Sequence, residues 1–166
     1  IQSVIFYGPP GTGKTTLAQI IANRTKSRFV RLSGVESNVA EMRQVLASAA
    51  NRLENTGNST LLFIDEIHRF NKAQQDVLLP DVEGGTVRLI GATTHNPFFF
   101  VNSPLVSRSQ IFELQPLSEE DILFLLQQAL ADEERGLANI NIAADDEALK
   151  HLATVSDGDA RKALNS

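Results

Sequence analysis

Residues 4–21 read VIFYGPPGTGKTTLAQII. An apolar run, Val4–Tyr7, meets a turn carrying Gly8, Gly11 and Gly13. Leu17, Ile20 and Ile21 then recur at helical spacing. Strand, glycine-rich turn and helix are the context that G-x-x-x-x-G-K-[ST] demands, and residues 8–15 match it. Glycines let backbone N–H groups turn toward an anion, and a helix N-terminus adds partial positive charge. Gly8, Pro9, Pro10, Gly11, Thr12, Gly13, Lys14, Thr15 and Thr16 therefore form a candidate phosphate cradle. Lys14 suits the β- and γ-phosphates of a nucleotide, and the Thr15 hydroxyl suits Mg²⁺. The motif alone does not choose between kinase, GTPase, ATPase and passive binder.

A second stretch narrows that choice. Residues 61–70 read LLFIDEIHRF, a buried-looking strand that runs directly into two acids. Burying a charge is costly unless something pairs with it. In a parallel sheet, ligands sit beyond the carboxyl ends of the strands. There Asp65 can hold the hydration shell of Mg²⁺, and Glu66 can orient or deprotonate an attacking water. The pair favours hydrolysis over transfer to a substrate hydroxyl.

Outward from these two stretches the chain alternates strand and helix. Strands are expected at Phe29–Leu32, Val87–Ala92 and Gln110–Leu114, with helices at 37–54 and Asn71–Leu79. This pattern predicts a five-stranded parallel sheet covered by helices on both faces, an α/β nucleotide-binding domain over residues 1–115. After Pro116 the sequence is helical only. Ser118 and Asp121 form a capping box, a second helix is expected over Asp145–Thr154, and a third opens near Gly158. Residues 116–166 read as the start of a small helical domain. The chain opens on Ile1 and stops in helical sequence, so it reads as cut from something longer.

Composition sets outer bounds. The chain has 166 residues, 42% hydrophobic and 21% charged, with no cysteine. Disulfides and thiolate metal sites are excluded, and no apolar run approaches the ~20 residues of a membrane span. A net charge of −5 offers no global attraction for nucleic acid.

GPPGTGKTT at 8–16, LLFIDE at 61–66, GATT at 91–94, SRS at 107–109 and GDARKALN at 158–165 together resemble the AAA+ ATPases. The stretch from DEIHRFNKAQQD through THNPFFFVNSPLVSR is similar to one branch, the replication-associated recombination ATPases. The resemblance implies a P-loop fold with a helical lid, ATP and Mg²⁺ as cofactors, and ATP hydrolysis at a site between the large domain and the lid. It gives Lys14 and Glu66 catalytic roles. It matches Thr94 to the sensor contacting the γ-phosphate or water, and Arg108 to an arginine finger reaching a neighbouring subunit. It matches Arg161 to the lid's sensor, and Ser33 to a polar residue that restrains the glutamate. It further implies a homo-oligomer, DNA with single-strand/double-strand junctions as a partner, and replication or repair proteins besides. The setting is cytoplasmic and nucleoid-associated in a bacterium, favoured over a nuclear one. A clamp-loader-like subunit and an ATP-dependent assembly scaffold remain the alternatives.

Other features are weaker signals. His68, His95 and His151 lack metal-ligand spacing. Phe98-Phe99-Phe100 is expected in the core or under a neighbouring subunit. Arg24, Lys26, Arg28 and Arg31 read as a solvated basic face. Arg69 and Lys72 are the candidate DNA contacts facing a central pore.

Overall fold

The computed structural model describes residues 2–140, 142 and 144–166. Five parallel strands, β1 (Ser3–Tyr7), β2 (Arg28–Ser33), β3 (Thr60–Asp65), β4 (Val87–Thr93) and β5 (Ser109–Glu113), lie in the order β2-β3-β4-β1-β5. Successive strand residues point to opposite faces. Every residue from Thr60 to Ile64 is buried, so β3 is covered on both sides. The outer strands β2 and β5 are largely open to solvent.

The chain divides into two compact units. One holds the sheet, taking in the chain as far as Gly8 and then Lys14–Glu113. Its core joins Ile5, Leu62, Ile64 and Leu89 of the sheet to Met42 and Leu46 of α2 (Val39–Thr56). α1 spans Lys14–Arg24. α2 starts at Asn38, whose side chain accepts from the Glu41 N–H, and stops at Gly57 in the left-handed region, φ 68°. The other unit gathers Pro9–Gly13 with Leu114–Ser166. Its core is Ile122 and Leu126 of α7 (Glu119–Ala131) against Leu149 and Ala153 of α8 (Asp146–Val155) and Ala163 of α9 (Ala160–Leu164). The Ser118–Asp121 capping box at the start of α7 is formed as the sequence implies.

One expectation needs correction. The single helix expected over Asn71–Leu79 is instead α3 (Lys72–Asp76) and α4 (Leu79–Glu83). Pro80 has no N–H to continue a helix but is tolerated in a first turn, so α4 begins afresh around it. A further pair, α5 (Pro97–Phe100) and α6 (Ser103–Ser107), lies between β4 and β5, where the sequence pattern assigned no element. It is fixed by a buried amide pair. Gln75 donates to the Phe70 and Phe100 carbonyls and accepts from the Asn102 N–H. The Asn102 amide donates to Lys72 O and Asp76 Oδ1. This leaves Phe98 and Phe99 exposed by 65% and 80%, outside the core.

Candidate nucleotide site

The C-terminal edge of the sheet gathers Gly8 after β1, Asp65 and Glu66 at the end of β3, and Thr93 and Thr94 at the end of β4. β4 stands between β1 and β3, so the acids lie two strand spacings, about 10 Å, from the end of β1. The Gly8 N–H donates to the Thr93 carbonyl at 3.2 Å, tying the loop's first residue to that middle strand.

Gly8, Gly11 and Gly13 have φ of 144°, 70° and 88°, a run that side chains resist. Lys14 opens α1, is buried, and its Nζ donates to the Gly8 carbonyl at 2.8 Å, spanning the loop. Within the second unit, Ala160 N–H donates to Gly11 O at 3.3 Å. A Cβ on Gly11 would fall 1.8 Å from Asp159 Oδ1. Inward-turning glycines, a helix N-terminus and a lysine fit a chain of phosphates. Thr15, in the first turn of α1, and the Asp65 carboxylate are hard oxygen donors of the kind Mg²⁺ takes.

Asp65 has a protein partner that the sequence did not reveal. Arg31 Nη2 lies 2.6 Å from Asp65 Oδ2. The register pairs Ser33 with Asp65, and Arg31 is two residues back on the same face of β2. Arg31 is thus not merely part of a solvated basic face. Ser33, expected to restrain Glu66, instead has its Oγ accepting from the Val35 and Glu36 N–H groups, both at 3.3 Å.

Glu66 sits in the left-handed region, φ 53° and ψ 46°, which is unusual for a residue with a side chain. Gly34 buttresses it. The Gly34 N–H donates to Asp65 O at 2.7 Å, and a Cβ on Gly34 would fall 2.2 Å from Glu66 O. A one-turn 3₁₀ helix, Ile67–Arg69, then folds His68 back so that Nε2 lies 3.3 Å from Glu66 Oε2. His68 Nδ1 is 2.9 Å from Thr93 Oγ1, and its ring meets His95 edge-on at 4.4 Å between centroids. Burial holds the His68 pKa below the ordinary value, with the Glu66 charge acting in the opposite sense. Thr93 is fully buried, whereas Thr94 is exposed.

The remaining candidates lie elsewhere. Arg108 immediately precedes β5, whose Ser109 pairs with Ser3. It is therefore at the opposite, N-terminal edge of the sheet, about 16 Å of strand from Gly8. Its Nη2 is 2.8 Å from Glu83 Oε1, and Nη1 donates to Pro104 O at 3.0 Å. Arg161 belongs to α9, where its N–H donates to Asp159 Oδ1 at 2.8 Å. Arg69 and Lys72 are exposed.

The chain matches the family described as "ATPase family associated with various cellular activities (AAA)" over residues 4–117. It is 48% identical to replication-associated recombination protein A of Escherichia coli over 166 residues, covering 100% of this chain and 37% of that one. The same-named protein of Bacillus subtilis is 44% identical, covered over 38% of its length. ATPase WRNIP1 of Dictyostelium discoideum is 47% identical across 99% of this chain and 19% of its own. Among solved structures, the RuvB Holliday junction branch migration motor of Thermotoga maritima superimposes with a TM-score of 0.77 and 31% identity, over 99% of this chain and 52% of that one. The chain thus spans little more than a third of the bacterial relatives it matches. On the phosphate loop, the acid-ended strand and these likenesses, it belongs to the AAA family of ATPases, on the branch of replication-associated recombination protein A.

Proposed function

We propose that this chain is the ATP-hydrolysing core of an oligomeric, DNA-dependent ATPase acting in replication-fork maintenance, recombination and repair. The observation that carries the reading is that Gly8, which opens the glycine-rich turn, and the acid pair lie at one edge of the sheet. The residues from Gly8 to Thr16 cradle the phosphates, with Lys14 on the β- and γ-oxygens. Thr15 and Asp65 hold Mg²⁺, largely through water, and the metal supplies charge neutralisation along the phosphates. Glu66 orients and deprotonates the attacking water. Thr94 and, from the helical lid that begins near residue 116, Arg161 act as the two sensors of the terminal phosphate.

Arg108 completes a neighbour's site. Its place at the far edge of the sheet supports this, since its own loop is beyond its reach. The relatives' names support replication and recombination as the setting, within which junction-bearing DNA is the effector proposed here. Exposed Arg69 and Lys72 are the proposed DNA contacts. Exposed Phe98 and Phe99 are the proposed contact with a neighbouring subunit.

The test is ATP turnover by the protein at its natural length, with and without a single-strand/double-strand junction. Turnover lost in Glu66→Gln and raised by the junction upholds the reading. Nucleotide binding without turnover in the unsubstituted protein points to an assembly scaffold. Turnover stimulated by a sliding clamp and not by DNA points to a clamp-loader-like subunit.

A further inference from the structure

We propose that His68 is a positioning residue for Glu66, holding the carboxylate through Nε2 while Thr93 fixes the ring through Nδ1. The inference rests on the reading of Glu66 as the group that activates water.

The hydrogen-bonding roles follow from the donor inventory. An ionised Glu66 only accepts, so Nε2 carries the proton that faces it. In the neutral ring Nδ1 is then an acceptor, which requires the Thr93 hydroxyl to donate. Thr93 Oγ1 accepts from the His95 N–H at 3.0 Å, and its one proton has two acceptors in reach, the His95 carbonyl at 3.2 Å and the nearer Nδ1 at 2.9 Å, which takes it in this arrangement. One tautomer satisfies the whole chain of groups. The ring has little freedom to leave it, as the His68 side chain is only 6% exposed and is flanked by His95 and Phe100.

The arrangement also solves a problem at Glu66 itself. A carboxylate at a strand end, on a backbone in the left-handed region, has several rotamers open to it. A buried ring whose Nε2 lies 3.3 Å from Oε2 favours one of them. Ser33 is spent on its own turn and does not provide that restraint. Thr93 lends the ring a rigid base, because its carbonyl receives the Gly8 N–H. The carboxylate is thereby referenced to the first residue of the phosphate loop through two side chains and one backbone hydrogen bond.

The experiment compares His68→Ala, His68→Gln and His68→Asn in the natural-length protein, by steady-state ATPase kinetics, binding of a fluorescent ATP analogue and thermal unfolding. A glutamine amide nitrogen reaches the place of Nε2, whereas an asparagine amide reaches only that of Nδ1. The expected result is a kcat about tenfold or more lower in His68→Ala, with nucleotide affinity within about twofold of the parent. His68→Gln recovers most of that loss and His68→Asn does not. Adding His68→Ala to Glu66→Gln produces no further loss, since the two act as a unit. An unchanged kcat in His68→Ala overturns the proposal, as does equal recovery by Gln and Asn that merely tracks thermal stability. If Glu66→Gln itself retains full turnover, the underlying reading of Glu66 fails first. If Glu66→Gln is inactive and His68→Ala is not, only the present proposal fails.

Discussion

Arg108 Nη2 lies 2.8 Å from Glu83 Oε1, so the guanidinium proposed to complete a neighbour's site is engaged within its own chain. Both side chains are nearly half exposed, and such a pair stabilises by only ~0–1 kcal/mol. It is a weak tether, easily exchanged for a phosphate.

Glu83→Gln should therefore leave thermal stability within ~1 kcal/mol of the parent. It should raise turnover where assembly is incomplete, because the released guanidinium no longer has to leave a carboxylate. Turnover measured against protein concentration reads this as a shift of the half-maximal point to lower concentration. Arg108→Ala should cost about 10³-fold in kcat. Mixing Arg108→Ala with Glu66→Gln subunits should restore part of the activity, since a mixed interface can join an intact arginine to an intact glutamate. No recovery on mixing would remove the case for action in trans.

The Arg31–Asp65 contact at 2.6 Å places a cation beside the carboxylate proposed to hold the water shell of Mg²⁺. Removing that cation lessens repulsion of Mg²⁺. Arg31→Gln is expected to lower the Mg²⁺ concentration for half-maximal turnover about two- to fivefold, the scale of a partly exposed ion pair. A titration that shifts the other way would show Arg31 orienting Asp65 rather than competing for it.

Gly34→Ala would set a methyl 2.2 Å from the Glu66 carbonyl oxygen, against backbone that cannot swing aside like a side chain. Overpacking of this kind costs about 1–3 kcal/mol. The variant should melt lower and lose turnover more than nucleotide binding, because the displaced peptide carries the carboxylate proposed to activate water. Equal losses in binding and turnover would mean that the whole edge, and not Glu66, had moved.

His68 gives the folded chain a dependence on pH. Its pKa lies below the ordinary 6.5 chiefly through burial, aided by His95 and Arg69 and opposed by Glu66. As pH falls, the unfolded chain takes up this proton before the folded one does. The contribution is fully present above about 6.5 and is lost as pH drops through the lowered folded value. Melting temperature between pH 7.5 and pH 5.5 should thus fall more steeply in the parent than in His68→Gln. Parallel slopes would show that the ring protonates equally easily in both states.

What the sequence disclosed was whatever is contiguous along it. The phosphate loop is legible because its glycines, lysine and threonine follow one another between a strand and a helix. Asp65 and Glu66 stand out because a charge at the end of a buried strand is costly unless something pairs with it. The partners of these acids were hidden for the opposite reason. Arg31 reaches Asp65 across strand register, between positions 34 residues apart. His68 reaches Thr93 across 25 residues through a 3₁₀ turn that no periodicity announces. Phe98 and Phe99 read by hydrophobicity alone as core or as cover for a neighbouring subunit, and only the Gln75–Asn102 brace shows why their short helix stands outward.

Glu66 is poorly matched to its own backbone. A left-handed conformation costs a side-chain-bearing residue roughly 1–2 kcal/mol, and glycine would relieve most of that. Selection of this chain for heat resistance alone would be expected to replace Glu66 by glycine or asparagine. The hardiest molecules from such a screen would be those that had given up the carboxylate proposed to activate water.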